Sequence, residues 1–233
     1  MEPPTLQRTS PGASPHEPGA SCSRAGGTCS TGAQCERRLT ARRNRTIGRV
    51  VGRPETVSEL RSTLRVDLRR STSAGQRLTL VIFRLGQFCN ASQSLLASVL
   101  QPFWRLADTL YLRTLVHAEL PPRIRCGPGL ALPHAGRGVV IHENASLGEN
   151  SMVFHRVTIG ATGGRAPRIG GNVAIGAGAC LLGPIEVGDY VHIGANAVVV
   201  KDVEPWANVG GVPAKVIRIR EEDRARYEAA ARS

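Results

Sequence analysis

Residues 141–199 read IHENASLGENSMVFHRVTIGATGGRAPRIGGNVAIGAGACLLGPIEVGDYVHIGANAVV, and their signature is a period of six. Aliphatic residues fall at Ile141, Leu147, Val153 and Ile159, then at Ile169, Ile175, Leu181, Val187, Ile193 and Val199, six apart within each set. Four positions after most of them stands a smaller candidate for burial: Ala145, Ser151, Val157, Val173, Ala179, Ile185, Val191 and Ala197. Glycine directly follows Leu147, Ile159, Ile169, Ile175, Val187 and Ile193, where a chain that turns every six residues needs small corners. A helix would place apolar residues every three to four positions and a half-buried strand every two. A sustained hexapeptide is instead the mark of a parallel β-helix. The coil this implies has three short flat faces, one hexapeptide per face and about eighteen residues per turn. One coil cannot bury its own core, but stacked coils bury a continuous aliphatic column at about 1.5–3 kcal/mol per enclosed side chain.

The period slips twice. The coil is expected to begin with Ile124 and Leu130, and Leu130 to Ile141 is eleven residues, so about five extra residues around Leu132–Gly138 must leave the coil. Between Ile159 and Ile169 the stretch Ala161–Arg168 carries four more residues than the repeat allows. Insertions in repeat proteins form loops gathered on one face, often the binding face. The first slip carries His134, the second Arg165 and Arg168. A neutral imidazole is the side chain best suited to take a proton from a hydroxyl at neutral pH, which makes His134 the candidate general base. His155 lies off the buried register and projects from the coil as a second polar group for the same groove. His142 and His192 are also off register and read as solvated.

The flanks are simpler. The chain has 233 residues and a net charge of +12, nearly all of the positive charge being arginine, and about half of the surplus precedes residue 76. Residues 1–75 are rich in Pro, Gly, Ser, Thr and Arg and short of large apolar side chains, so a disordered basic tail is expected, dispensable for stability. Its basic run Arg37–Arg53 lacks the interleaved aromatics of a nucleic-acid site. Cys22, Cys29, Cys35, Cys89, Cys126 and Cys180 show no CxxC and no zinc spacing, and no secretory leader precedes them; reduced thiols in a cytoplasmic protein, with no metal, are expected. Residues 77–118 turn helical, with apolar side chains from Leu78 to Leu115 recurring at three and four. Asn90 or Ser92 is expected to cap the second helix and Pro102 to interrupt it. Polar residues interrupt this segment too often for a membrane span, although Arg77, Arg84, Arg105 and Arg113 flank its apolar face in the manner of a peripheral membrane helix. Residues 220–233 are expected to form a helix or tail.

The segments GPGLALPHAGRGVVIHENASLGENSMVFHRVTIGATGG (127–164), APRIGGNVAIGAGACLLGPIEVGDYVHIGANAVVVKDV (166–203) and GVPAKVI (211–217) resemble the left-handed parallel β-helix of serine acetyltransferases and related hexapeptide-repeat acyltransferases. The resemblance covers about residues 120–219, and residues from 77 onward are similar to the short helical lead-in of serine-acetyltransferase-like proteins found with polysaccharide synthesis genes. It implies a mainly β fold, a left-handed parallel β-helix preceded by a short helical segment, assembled as a homotrimer. It also implies acetyl-CoA as donor and transfer to the hydroxyl of L-serine, the step that feeds cysteine biosynthesis. His134 matches the family's catalytic histidine. Ala177, Gly178, Ala195 and Lys215 match its acetyl-CoA-binding segments, with small residues lying against the pantetheine arm and Lys215 meeting a CoA phosphate. Two departures weigh on the acceptor. Pro133 stands where the family has an aspartate before the histidine, and Arg165-Ala166-Pro167 stands where it has Arg-His-Pro. Arg165 is thereby retained as an acceptor-binding cation, while a sugar or polysaccharide precursor becomes the alternative acceptor. Two further classes are weighed: a β-helix metalloenzyme of the carbonic anhydrase type, whose closely spaced histidine ligands are missing, and a non-catalytic scaffold.

Overall fold

The computed structural model describes residues 52–230. Residues 1–51, with Cys22, Cys29, Cys35 and most of the basic run, and residues 231–233 lie outside the described residues. The element order is α1 (Val57–Arg69), α2 (Ala74–Ala91), α3 (Leu95–Ala107), a π-helical stretch (Asp108–Val116), thirteen short strands and α4 (Glu221–Ala230). The strands are β1 (Arg125–Cys126), β2 (Val140–Ile141), β3 (Ser146–Leu147), β4 (Met152–Val153), β5 (Thr158–Gly160), β6 (Arg168–Ile169), β7 (Ala174–Ile175), β8 (Cys180–Leu182), β9 (Glu186–Val187), β10 (His192–Ile193), β11 (Val198–Val199), β12 (Ala207–Gly210) and β13 (Lys215–Ile219).

The strands form the three faces of a parallel β-helix. Face I runs β1-β3-β6-β9, face II β4-β7-β10-β12 with β13 antiparallel at its end, and face III β2-β5-β8-β11. Stacked partners are eighteen residues apart where no insertion intervenes, as in Ile169 over Val187, and twenty-two apart across the second slip, as in Leu147 over Ile169. The aliphatic positions read from the period are the core: Leu147, Val153, Ile159, Ile169, Ile175, Leu181 and Val187 have no exposed surface. Three residues after an inward aliphatic, the corner turns through left-handed backbone, at Asn150, Arg156, Asn172, Gly178, Tyr190 and Asn196. Asn and Gly are the residues for which that conformation costs least. The corner glycines are close-approach positions: a Cβ on Gly148 would lie 2.4 Å from the carbonyl carbon of Gly170 in the next coil, and one on Gly176 would lie 2.6 Å from the nitrogen of Ala195.

The first coil corrects the expected register. Cys126 stacks under Leu147 and Ala131 under Met152, with Glu119 beside Val140, so the inward residues are Leu120, Cys126 and Leu132, again six apart. Ile124 and Leu130 are buried as the second, four-residues-later set. The first slip is therefore three residues, not five. It coincides with left-handed backbone at His134, Ala135 and Gly136. Cys126 is a core residue that an aliphatic period does not mark; burial pushes its thiol above its ordinary pKa and it behaves as a small hydrophobe. Cys89, Cys126 and Cys180 are free.

The helices also depart from expectation. The tail boundary at residue 75 is too late, because α1 lies inside the stretch expected to be disordered. Thr56 and Glu59 form a reciprocal capping box on its first turn, and Leu60 packs with Phe88, Cys89 and Ala97. Ser94, not Asn90 or Ser92, caps α3. Pro102 does not break α3: it sits on the exposed side, where the one forfeited N–H bond is tolerated, and the helix continues and then widens to π pitch up to Val116. Arg84 does not flank a surface. It is fully buried, its Nε donating to Asp67 Oδ2 at 2.7 Å and its two terminal nitrogens to the carbonyls of Cys126 (2.8 Å) and Gly127 (2.6 Å). Asp67 in turn accepts the backbone N–H of Gly129 and Leu130, and Gln87 donates to the carbonyl of Ile124. Leu80 and Phe83 join the β-helix core from below. No helix among the described residues is long and apolar enough to cross a membrane.

Removing one partner of a buried, hydrogen-bonded ion pair strands the other charge, at a cost of about 3–5 kcal/mol. Asp67→Ala and Arg84→Met are each expected to lower unfolding free energy by about that amount in urea titrations. Deleting residues 1–51 should leave the melting temperature nearly unchanged, whereas deleting 1–75 should lower it by many degrees; equal melting temperatures for the two truncations would remove α1 from the folded unit.

Candidate active site

The three-residue insertion lies where the chain passes from face II to face III, and that edge builds the site. Leu132 is pinned in the core, and the next residues, Pro133–Gly136, make a tight turn with His134 and Ala135 in left-handed backbone, closed by the Arg137 N–H to the His134 carbonyl at 3.3 Å. The turn pushes the His134 side chain out to solvent while α2 holds it from behind: the Thr79 hydroxyl donates to the Ala135 carbonyl at 3.0 Å. One coil along the same edge, His155 leaves β4 half-buried. The rings of His134 and His155 meet edge to face with centroids 5.0 Å apart.

Both line a groove of about 910 Å³ whose other wall is the helical segment, through Ser73, Gly75 and Leu115–His117. The Tyr111 hydroxyl donates to the Gly75 carbonyl and ties the two helical walls together. Arg137 and Arg156 also line the groove, and no carboxylate does among the described residues. His155 Nδ1 is buried without a hydrogen-bonding partner. A general base, a second imidazole and two nearby guanidiniums can accept a hydroxyl proton and offset developing negative charge. Among the described residues no carboxylate is paired with His134, and the backbone turn holds the loop.

The expected donor-binding residues continue along this edge. Gly178 N–H donates to the His155 carbonyl at 3.0 Å, and Asn196 N–H to the Ala177 carbonyl at 2.8 Å, so Ala177, Gly178 and Ala195 step away from the histidines at about 4.8 Å per coil. A Cβ at Gly178 would meet Asn196 Oδ1 at 2.2 Å, which keeps the edge narrow. At its far end Gly211 accepts from Val198, and Lys215, paired with Gly210, is exposed.

Arg165 lies elsewhere. The second insertion is a hairpin in which Thr162 and Arg165 exchange both backbone bonds around Gly163-Gly164, each at positive φ. It follows β5 and precedes β6, which places it on the edge between faces III and I, braced by Asn144 Nδ2 on the Gly164 carbonyl. The two insertions therefore occupy different edges, not one face, and Arg165 does not line the groove of its own chain. His142 Nδ1 accepts from the Asn144 N–H, and His192 is an exposed strand residue; neither lines the groove. The sequence reading missed Arg137, Arg156 and His117, the last of which ends the π-helical stretch in left-handed backbone.

Residues 166–201 match the family model described as bacterial transferase hexapeptide (six repeats). Serine acetyltransferase of Mycobacterium tuberculosis is 45% identical over 111 residues, covering 46% of this chain and 48% of that protein. The enzyme of Buchnera aphidicola is 43% identical over 110 residues, covering 45% and 42%. The chain thus spans about half the length of these curated relatives. Among solved structures, serine acetyltransferase from Brucella abortus superposes with a TM-score of 0.58 at 31% identity, over 69% of each chain. A Neisseria gonorrhoeae serine acetyltransferase in complex with serine superposes at 0.53, with 29% identity over 70% of each. With 31% identity to a solved relative covered over 69% of its length, this chain belongs to the serine-acetyltransferase-like branch of the hexapeptide-repeat family.

Proposed function

We propose that the protein is an acetyl-CoA-dependent O-acetyltransferase of the serine O-acetyltransferase type, working in the cytoplasm as a homotrimer. The observation that carries this is the single edge on which His134, His155 and the small-residue steps Ala177, Gly178 and Ala195 are aligned, with similarity to enzymes named for acetyl transfer to serine as support. Acetyl-CoA lies along the small-residue steps with its thioester toward the histidines, and Lys215 meets a phosphate at the far end. His134 takes the acceptor hydroxyl proton as that oxygen attacks the thioester carbonyl carbon. The tetrahedral oxyanion collapses with loss of the CoA thiolate, which receives the proton from the His134 imidazolium. No covalent acyl-enzyme is formed, so the thiols have no part. His155, half-buried beside His134 in the same groove, is the second polar group for the acceptor or oxyanion.

Arg165 enters from a second copy. One chain cannot bring the edge between faces III and I to the groove between II and III, but a closed ring of prism-shaped subunits sets one edge against another. In that arrangement Arg165 of the neighbour binds the acceptor carboxylate, which favours L-serine. Pro133 and Ala166, each lacking the polar group that the family carries, favour a sugar hydroxyl as the second reading.

His134→Ala should lower turnover by about 10²–10⁴-fold with acetyl-CoA affinity almost unchanged, and His155→Ala should cost less. Turnover that survives in His134→Ala with any acceptor refutes the mechanism. Initial rates with L-serine set against a panel of sugars and oligosaccharides identify the acceptor. Light scattering at micromolar concentration should give three times the chain mass; a monomeric mass would leave Arg165 without a role.

A further inference from the structure

Face I carries a second groove, of about 620 Å³, lined by Arg53, Arg123, Arg125 and Arg168, with Ser146 between the last two and Glu143 also in the lining. Its geometry follows from the coil. In the register β1-β3-β6, Arg125 pairs with Ser146 and Ser146 with Arg168, so the two arginines stand two strand spacings apart, about 9.6 Å, with a hydroxyl midway. Arg123 precedes Arg125 by two residues and shares its outward side, while Ile124 between them is buried. The segment before α1 adds Arg53.

These charges are poorly offset from within. Among the described residues Arg53, Arg123 and Arg125 form no ion pair, and Arg168 has only a long contact, 3.9 Å, to Glu186 on its far side. One lining carboxylate faces four guanidiniums. The groove also lies on a different face from the His134 edge and at the opposite end of the coil from Lys215, so neither the proposed base nor the proposed donor site uses it.

We propose that this groove is a binding site for a small molecule carrying a diphosphate group. A single carboxylate occupies one guanidinium fork, leaving three here unmatched, whereas a diphosphate presents acceptor oxygens to several forks at once, and long arginine side chains rising from strands two spacings apart can converge on it. The volume suits a molecule up to nucleotide size and not a macromolecule. Ser146 supplies a hydroxyl between the two phosphate positions. The diphosphate reading does not rest on the acetyltransferase reading, although Asn144 of the lining also braces the Arg165 hairpin.

The test is calorimetric titration of the intact protein at low ionic strength with inorganic pyrophosphate and, separately, ADP. The Arg125→Gln/Arg168→Gln double variant and the exposed Arg123→Gln single variant are titrated alongside, and thermal melts check folding. Saturable binding of either probe that weakens about tenfold or more in the double variant, and less in Arg123→Gln, is the expected result. Equal affinity for both probes assigns free diphosphate as the ligand, and preference for ADP assigns a nucleotide. Acetyl-CoA affinity should be unchanged in both variants. The proposal is overturned if neither probe saturates, if both variants bind as the unaltered protein does, or if acetyl-CoA affinity falls in step with pyrophosphate, which would make the groove part of the donor site.

Discussion

The buried pair of Arg84 and Asp67 is the joint on which this architecture depends. A stack of coils has an open first end, where backbone groups have no preceding coil to pair with and the aliphatic column would meet water. Arg84 donates to the carbonyls of Cys126 and Gly127, Asp67 accepts from Gly129 and Leu130, and Gln87 donates to Ile124. Three side chains from α1 and α2 thereby stand in for the missing coil, while Leu80 and Phe83 close the column. Burial by itself would disfavour the Arg84 charge, but the neighbouring Cys126 and the Asp67 carboxylate together more than offset it, and the guanidinium pKa is raised. An apolar plug in its place would leave at least five backbone groups of the first coil unpaired. That is the physical reason a charged pair is found where a hydrophobic one is usually as stable.

The same docking shapes the groove. Because α2 is fixed against the first coil, Thr79 reaches the Ala135 carbonyl and Gly75 lies against the Ala135 methyl, where a Cβ on Gly75 would be 3.5 Å away. The loop that carries His134 is thus held between an inward leucine on one side and a capped helix on the other, with a tight turn of left-handed backbone between them. In the family pattern an acid next to the histidine does part of this work. Here Pro133 stands in its place, and the backbone turn and the helical wall hold the loop.

A three-faced coil sorts its loops by arithmetic. An insertion after a face II strand opens at one edge, and an insertion after a face III strand opens at another, so His134 and Arg165 are separated by the shape of the prism although only thirty-one positions divide them. The histidines, by contrast, are twenty-one positions apart and fall on one edge in consecutive coils. Arg125 and Arg168, further apart in sequence, are brought to the two sides of one serine by the same rule. Position modulo the coil length, not distance along the chain, determines which side chains can act together.

The sequence shows on its own the β-helix, its inward aliphatics from Ile141 to Val199, the existence of two insertions and the prominence of His134, because a period of six repeated over so many residues leaves one architecture that can bury every repeat. It left the first coil two residues out of register, since Cys126 and Leu120 carried the period without looking aliphatic enough or sitting clear of the Pro121-Pro122 pair. It placed α1 in a tail, because local composition there is poor in apolar residues and the anchor, Asp67, is a charge whose value exists only when Arg84 and the first coil's backbone surround it. It put Arg84 on the surface for the same reason: hydrophobic periodicity reports where apolar faces point and is silent on a charge whose partners lie seventeen and more than forty residues away. Which edge each insertion occupies, that Arg137, Arg156 and His117 join the groove, and that four arginines line a second groove were settled in three dimensions alone, since each of these depends on how the stacked coils and the helical cap bring distant positions to the same surface.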